Sequence, residues 1–119
     1  RGKVSSGLGQ AQHFLSRKGY CRQFEASLGY VPFPGTLNVL LDEPFPAEAP
    51  SIEIEGFREG DKSFGCCRCY RIKINGINAA VVRPERSCHP PELIEVIAPV
   101  HLRRALCLED GDEVSITVI

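Results

Sequence analysis

The chain lacks a strong excess of charge, a long apolar run and a visible secretion signal. Its 119 residues carry 14 lysines and arginines against 15 aspartates and glutamates, a net charge of −1. Nucleic-acid-binding domains usually carry a clear basic excess, and no apolar stretch approaches the roughly 20 residues of a membrane span. We therefore expect a cytoplasmic protein whose partners are neither nucleic acids nor membranes.

Several familiar catalytic and metal-binding patterns are also missing. No Gly-Lys-Ser/Thr sequence follows a glycine-rich stretch, and kinase-type Asp-Phe-Gly and His-Arg-Asp sequences are absent. The histidines His13, His89 and His101 form no close-spaced ligand pair. The six cysteines are not spaced like a small disulfide scaffold, and residues 66–69 (Cys-Cys-Arg-Cys) offer fewer than the four ligands of a structural zinc site. We expect free or redox-active thiols there.

The length fits one domain with a core of its own, and the apolar fraction of 43% and charged fraction of 24% are ordinary for a globular protein. We predict a single domain over residues 1–119 and a monomer. Because the chain starts with Arg1 rather than Met, a further domain on the N-terminal side is compatible with the sequence.

Proline and glycine recur every ten to fifteen residues, which favours many short strands. Regular alternation of strands and helices is absent, which argues against a parallel nucleotide-binding sheet. We predict a mainly β fold of six or seven strands with two short helices, in a closed or nearly closed barrel, because closure removes exposed edges. The predicted strands cover residues 1–6, 36–41, 51–55, 70–74, 77–82, 93–97 and 114–118, with an Asn75-Gly76 hairpin turn.

Two short helices are predicted between these strands. Tyr20, Phe24 and Leu28 recur at helical spacing, and Gly29 ends that helix. Pro99 opens a second helix through Cys107. Its predicted buried side carries Leu102, Ala105 and Leu106. Residues 42–51 and 56–65 are predicted loops, the second one mobile.

The segment Pro34-Gly35-Thr36-Leu37-Asn38-Val39 is the most informative one in the chain. On a strand, Thr36 and Asn38 share one face and Leu37 and Val39 the other. Two neutral oxygen ligands bind Mg²⁺ well only when phosphate oxygens supply the negative charge. The pattern therefore suggests a metal that arrives with a nucleotide, although for these six residues alone a strand-favouring threonine and a loop-capping asparagine are the simpler explanation.

Three other features each have a functional interpretation and an ordinary structural one. Residues 6–9 (Ser-Gly-Leu-Gly) bring backbone N–H groups close to a phosphate or form a plain turn. Residues 83–91 form a basic, proline-stiffened loop that holds a ligand or is merely solvated. Glu95, inside the apolar run 93–97, is a placed functional carboxylate or lies on the solvent face of its strand.

Taken together, these pieces resemble the archaeal CTP-dependent riboflavin kinases over nearly the whole chain. The matching elements, in order, are Ser6-Gly7-Leu8-Gly9, Phe14-Leu15, Tyr20, Phe24, Leu28-Gly29, Pro34–Val39, Ile74-Asn75-Gly76, Val81–Arg86 with Ser87 and His89, Glu95–Pro99, Leu102-Arg103 and Asp110-Gly111-Asp112.

The resemblance implies a six-stranded cradle-loop (RIFT-related) barrel that transfers the terminal phosphate of CTP to the 5′-hydroxyl of riboflavin, giving FMN and CDP. It implies Mg²⁺ on Thr36 and Asn38 and flavin contacts from Ser87 and Glu95. Glu95 is then the candidate that orients or deprotonates the 5′-hydroxyl, or it only anchors the ribityl chain. The implied nucleotide-binding residues are Gly7, Leu8, Gly9, Gln10, Ala11, Gln12, Val100, His101, Leu102 and Arg103.

The sequence departs from the family pattern in two places. The family loop usually runs Gly-x-Gly-Glu-Gly, whereas Gln10 and Ala11 follow Gly9 here, and the flavin-contacting hydroxyl is usually threonine rather than Ser87. A flavin-binding module without catalysis and a DNA-binding barrel are the alternative functions. The near-neutral charge counts against the DNA-binding one.

Overall fold

The computed structural model describes residues 1–5, 18–33, 35–46, 48–84 and 92–119, and these residues are mainly β structure, as predicted. The helices are α1 (Lys18–Leu28) and α2 (Leu102–Ala105). The strands are β1 (Gly2–Ser5), β2 (Leu37–Leu41), β3 (Ile52–Ile54), β4 (Phe57–Glu59), β5 (Lys62–Phe64), β6 (Cys67–Ile74), β7 (Ile77–Pro84), β8 (Leu93–Ile97), β9 (Glu113–Val114) and β10 (Ile116–Val118).

The main sheet is antiparallel and its two ends meet. Its strands follow the order β10, β6, β7, β8, β2, β1, β9, with β3 paired to β6. Only Ser115 separates β9, which pairs with β1, from β10, which pairs with β6. The C-terminal segment therefore joins both edges, and the six strand positions form a closed barrel-like arrangement that fits the predicted fold.

The predicted hairpin between β6 and β7 turns at Asn75 and Gly76, both of which have positive φ, 46° and 86°. This is the backbone that a two-residue hairpin requires. The Asn75 side chain accepts a hydrogen bond from the Ser115 N–H at 2.9 Å, and the Asn75 N–H donates to the Ser115 carbonyl at 3.0 Å. The turn thus holds the residue at which the C-terminal segment changes its partner strand.

Apolar side chains fill both sides of part of the sheet. The interior core takes alternate residues from the barrel strands, including Val4, Val39, Ile72 and Val96, together with Leu102 from α2. A second core on the outer face lies under α1. Its members are Tyr20, Phe24, Ile54, Cys67, Cys69, Ala80, Val82 and Ile97. Helix α1 thus covers the outer face of β6 and β7.

Helix α1 follows the predicted spacing. Tyr20 and Phe24 are buried and Leu28 is half-buried. Gly29 follows the helix with φ +86°, the left-handed conformation that ends many helices. The Gln23 amide accepts from the Glu55 N–H and donates to the Glu55 carbonyl, at 2.7 and 2.9 Å, which ties the helix to the segment after β3.

The prediction of a mobile loop over residues 56–65 was wrong. Strands β4 and β5 form a hairpin there, with Phe57 opposite Phe64. Both rings pack against Tyr20, at centroid distances of 4.7 and 6.0 Å. The polar and glycine residues occupy the turn and the exposed positions, whereas the two aromatic rings anchor the hairpin to α1.

Helix α2 is shorter than predicted. It begins at Leu102, after a His101 cap, and ends at Ala105. Leu102 is buried and Leu106 packs partly against the interior core, but Ala105 is exposed, contrary to prediction. Of the described residues, none belongs to a helix long and apolar enough to cross a membrane.

The hydroxyl of Tyr30 is a buried group without a hydrogen-bond partner in the described part of the chain. Burial, together with the nearby Cys69 and partly opposed by Arg71, raises the pKa of Tyr30 to about 12. Because the phenol ionises less readily in the folded protein than in the unfolded chain, its neutral form favours folding fully at pH values below 10, its ordinary pKa. That stability is lost as the pH rises towards 12, because the unfolded chain ionises first.

We therefore expect Tyr30→Phe to raise the free energy of unfolding by about 1 kcal/mol at neutral pH, because an unpaired buried hydroxyl is removed. The advantage over the wild type should widen between pH 10 and pH 12. Urea unfolding at a series of pH values measures both effects, with Tyr70→Phe as the control. A wild type more stable than the variant throughout would show that the hydroxyl is paired.

Candidate active site on the outer face

A row of side chains crosses the outer face of the barrel from β1 to β7. The Cα partners are Ser5 and Asn38, Asn38 and Glu95, and Glu95 and Val82. Directly opposed residues of an antiparallel pair point to the same face, with Cβ atoms about 5 Å apart. Asn38 and Glu95 are therefore immediate neighbours, beside the end of β1.

The alternation of apolar residues explains why these side chains face outward. Leu37 and Val39 on β2 enter the interior core, as do Ile94 and Val96 on β8. Asn38 lies between Leu37 and Val39, so its side chain points to the outer face. Glu95 lies between Ile94 and Val96 and points outward as well. Both side chains are half-buried, as is Thr36, which lies one residue before β2 begins.

The side-chain oxygen of Asn38 is buried and has no hydrogen-bond partner among the described residues. Leaving such an atom unpaired costs about 1–3 kcal/mol, so it is poised for a ligand. In the described ranges no three histidine, cysteine, aspartate or glutamate side chains gather into a metal site. A cation bound at Asn38 would thus meet a neutral amide oxygen, the Glu95 carboxylate on the neighbouring strand and whatever charge a second ligand carries.

The segment 100–103 lies beyond the end of β8 and opens α2. Val100 and His101 are exposed, whereas the Leu102 side chain lies in the interior core. The His101 Nδ1 accepts from the Arg104 N–H at 3.2 Å, and its ring meets that of Phe33 edge to face at 4.9 Å. His101 and the partly exposed Phe33 thus present aromatic surface at this end of the barrel.

Arg103 joins this segment to the row on the outer face. Its Nη2 donates to the Ser5 carbonyl at 3.2 Å and to Oδ1 of Asp110 at 2.6 Å. Ser5 is also the Cα partner of Asn38. One guanidinium therefore connects the start of α2, the end of β1 and the turn before β9.

Comparison with known proteins identifies the family. The family model CTP-dep_RFKase, described as "Domain of unknown function DUF120", matches residues 4–118. The chain belongs to this family, the CTP-dependent riboflavin kinases. The resemblance read from the sequence motifs is thereby confirmed.

Curated relatives carry the name riboflavin kinase. The protein of Methanocella arvoryzae is 52% identical over 119 residues, covering 99% of this chain and 56% of the relative. That of Methanosarcina acetivorans is 50% identical over 119 residues, covering 95% of this chain and 50% of the relative. That of Pyrobaculum arsenaticum is 44% identical over 124 residues, covering 99% and 59%. The chain spans about half the length of the curated relatives it matches.

The structure gathers part of the site that the riboflavin kinase resemblance predicts. Asn38 and Glu95 are cross-strand neighbours, Thr36 precedes Asn38 by two residues, and Arg103 reaches Ser5. Leu102 is buried, so only its backbone is available to a ligand. The remaining predicted site residues lie outside the described part of the chain: Gly7, Leu8, Gly9, Gln10, Ala11, Gln12 and Ser87.

Three residues of this region were not predicted as part of a site: Ser5, Phe33 and Asp110. Ser5 takes part through its backbone carbonyl, which any residue type supplies, at a separation of 98 residues from Arg103. Phe33 precedes the Pro-Gly turn without any periodic signal, and Asp110 reads as an ordinary turn residue. The contact of Ser5 with Arg103 arises from the closed barrel and has no local sequence pattern.

Of the described cysteines, Cys69 lies at the β6 end of this row, where it is the Cα partner of Val82. The five in the described residues are free thiols, as expected, and Cys67 and Cys69 are buried under α1. A thiol hydrogen bond to Cys67 raises the pKa of Cys69, and burial raises it further. The same bond lowers the pKa of Cys67. Cys67 and Cys69 are thus a hydrogen-bonded pair within the outer core.

Proposed function

We propose that this protein transfers the terminal phosphate of CTP to the 5′-hydroxyl of riboflavin, giving FMN and CDP. The relatives named riboflavin kinase support the acceptor, and the family name supports CTP as the donor. The observation that carries the proposal in the structure is the Asn38–Glu95 neighbour pair, in which a buried, unpartnered oxygen lies beside a carboxylate. Phosphoryl transfer needs an oxygen ligand for a phosphate-bound cation close to a group that orients the attacking hydroxyl, and this pair supplies both.

In this proposal Thr36 and Asn38 hold Mg²⁺, and Ser87 and Glu95 contact riboflavin. An ion held there would neutralise charge on the phosphate oxygens, which is the main demand of phosphoryl transfer. The 5′-hydroxyl oxygen forms the new bond to the terminal phosphorus as the bond to the bridging oxygen of CTP breaks. Glu95 orients the hydroxyl and accepts its proton.

The nucleotide lies, in this proposal, between residues 7–12 and residues 100–103. Arg103 supports this arrangement, because its guanidinium reaches from α2 to the Ser5 carbonyl, immediately before the glycine-bearing segment in the chain. An arginine fork suits phosphate oxygens. The exposed rings of Phe33 and His101 lie at the same end of the barrel.

The direct test is to incubate the full-length protein with riboflavin, Mg²⁺ and either CTP or ATP. We expect FMN to form with CTP and far more slowly with ATP, as measured by chromatography with fluorescence detection. Riboflavin binding without any FMN would favour the non-catalytic flavin module instead. A shift of random duplex DNA in a gel would favour the DNA-binding alternative.

Removal of either proposed metal ligand should abolish Mg²⁺-dependent turnover while leaving the fold intact. We expect Thr36→Ala and Asn38→Ala to lower kcat by about 100-fold or more, because phosphoryl transfer depends on positioning and charge neutralisation. Asn78→Ala is the matched control, since Asn78 is an exposed strand asparagine on β7. Normal FMN formation by both variants would remove the metal assignment.

Glu95→Gln should lower turnover more than it weakens riboflavin binding. The loss of a proton acceptor predicts a fall in kcat of about 100-fold, whereas the amide still hydrogen-bonds the ribityl chain. Glu53→Gln, on an exposed position of β3, is the control. If riboflavin affinity collapses while turnover at saturation is unchanged, Glu95 is only an anchor.

A further inference from the structure

Asp110 belongs to a turn that is docked on the end of β1. The Gly111 N–H donates to the Val4 carbonyl at 2.8 Å, and the Val4 N–H donates to the Asp112 carbonyl at 2.8 Å. Gly111 has φ +91°, a conformation that suits glycine. The Asp110 carboxylate is therefore held at a fixed place beside Val4 and Ser5.

That carboxylate and the Ser5 carbonyl together hold one nitrogen of Arg103. Nη2 donates to Asp110 Oδ1 at 2.6 Å and to the Ser5 oxygen at 3.2 Å, which engages both of its hydrogens. A guanidinium has five N–H groups in a rigid planar fork. The three on Nε and Nη1 have no partner among the described residues.

We propose that Asp110 is a positioning residue that acts on the phosphate chain of a bound nucleotide through Arg103. This proposal rests on the proposed function, since it takes the nucleoside di- or triphosphate as the ligand. Asp110 fixes the fork through Nη2, so the remaining N–H groups keep one orientation. Paired N–H groups of this kind are well suited to anionic phosphate oxygens.

Stability alone does not account for this ion pair. The side chains of Arg103 and Asp110 are 35% and 55% exposed, and exposed pairs of this kind contribute little to folding. The turn is in any case secured by its backbone hydrogen bonds to Val4. What the pair does fix is the direction of a long, otherwise flexible arginine.

The test compares Asp110→Ala with Glu109→Ala in the full-length protein. Glu109 is the neighbouring exposed glutamate, and its side chain has no partner among the described residues. For Asp110→Ala we expect the Kd of CDP, measured by calorimetry, and the KM of CTP to rise by about tenfold, as for loss of one charge-assisted hydrogen bond. The KM of riboflavin, kcat and the Tm should stay near wild-type values, and Glu109→Ala should change none of these quantities.

Two further variants separate positioning from a structural role. Asp110→Glu should recover much of the CDP affinity. The double variant Arg103→Asp with Asp110→Arg should keep the Tm but not the CDP affinity, because the cation moves to the turn. An unchanged CDP Kd in Asp110→Ala, or equal losses for both substrates with a lowered Tm, would overturn the proposal.

Failure of the proposed function gives a different result. A wild type that binds CDP yet forms no FMN contradicts the kinase activity, while the Asp110 comparison still tests the positioning role by CDP affinity alone. A wild type that binds no CDP overturns both.

Discussion

The arrangement of the whole barrel depends on a C-terminal segment that pairs with both edges of one sheet. β9 adds to β1 and β10 adds to β6, with Ser115 held between them by Asn75. In an open sheet, unpaired edge strands can pair with other chains and promote aggregation. Closure also fixes β1 in space: Val4 is hydrogen-bonded to the turn before β9, and β1 is paired to β2 on its other side.

The closed barrel leaves little room for chemistry inside. Its interior is filled by apolar side chains from alternate positions of the strands, and helix α1 covers the outer face of β6 and β7. Among the described strands, the polar side chains that face outward on β2 and β8 therefore remain available for a functional surface. Asn38 and Glu95 lie at the border of this surface, because Glu95 is next to Val82 of the outer core. That border explains why both are half-buried rather than fully solvated.

The local sequence pattern was enough to predict which way Asn38 and Glu95 point, but not that they are neighbours. The alternation of Leu37 with Val39 and of Ile94 with Val96 places Asn38 and Glu95 outward. The pairing of β2 with β8 joins distant parts of the chain, and no local pattern encodes it. The hairpin at residues 57–64 was missed for a similar reason, since its two phenylalanines are stabilised by Tyr20 of a distant helix. The Arg103–Ser5 contact likewise joins residues 98 positions apart.

The charge balance of the site has a consequence for how the proposed substrates bind. Asn38 and Thr36 are neutral, Glu95 supplies one negative charge, and the charge of Arg103 is partly offset by Asp110. Among the described residues proposed for the site, a lone divalent cation thus meets one carboxylate, and a lone triphosphate meets an arginine whose charge is partly offset. Each brings the charge that the other lacks. Metal and nucleotide should therefore bind much more tightly together than separately, since each completes the electrostatic environment of the other.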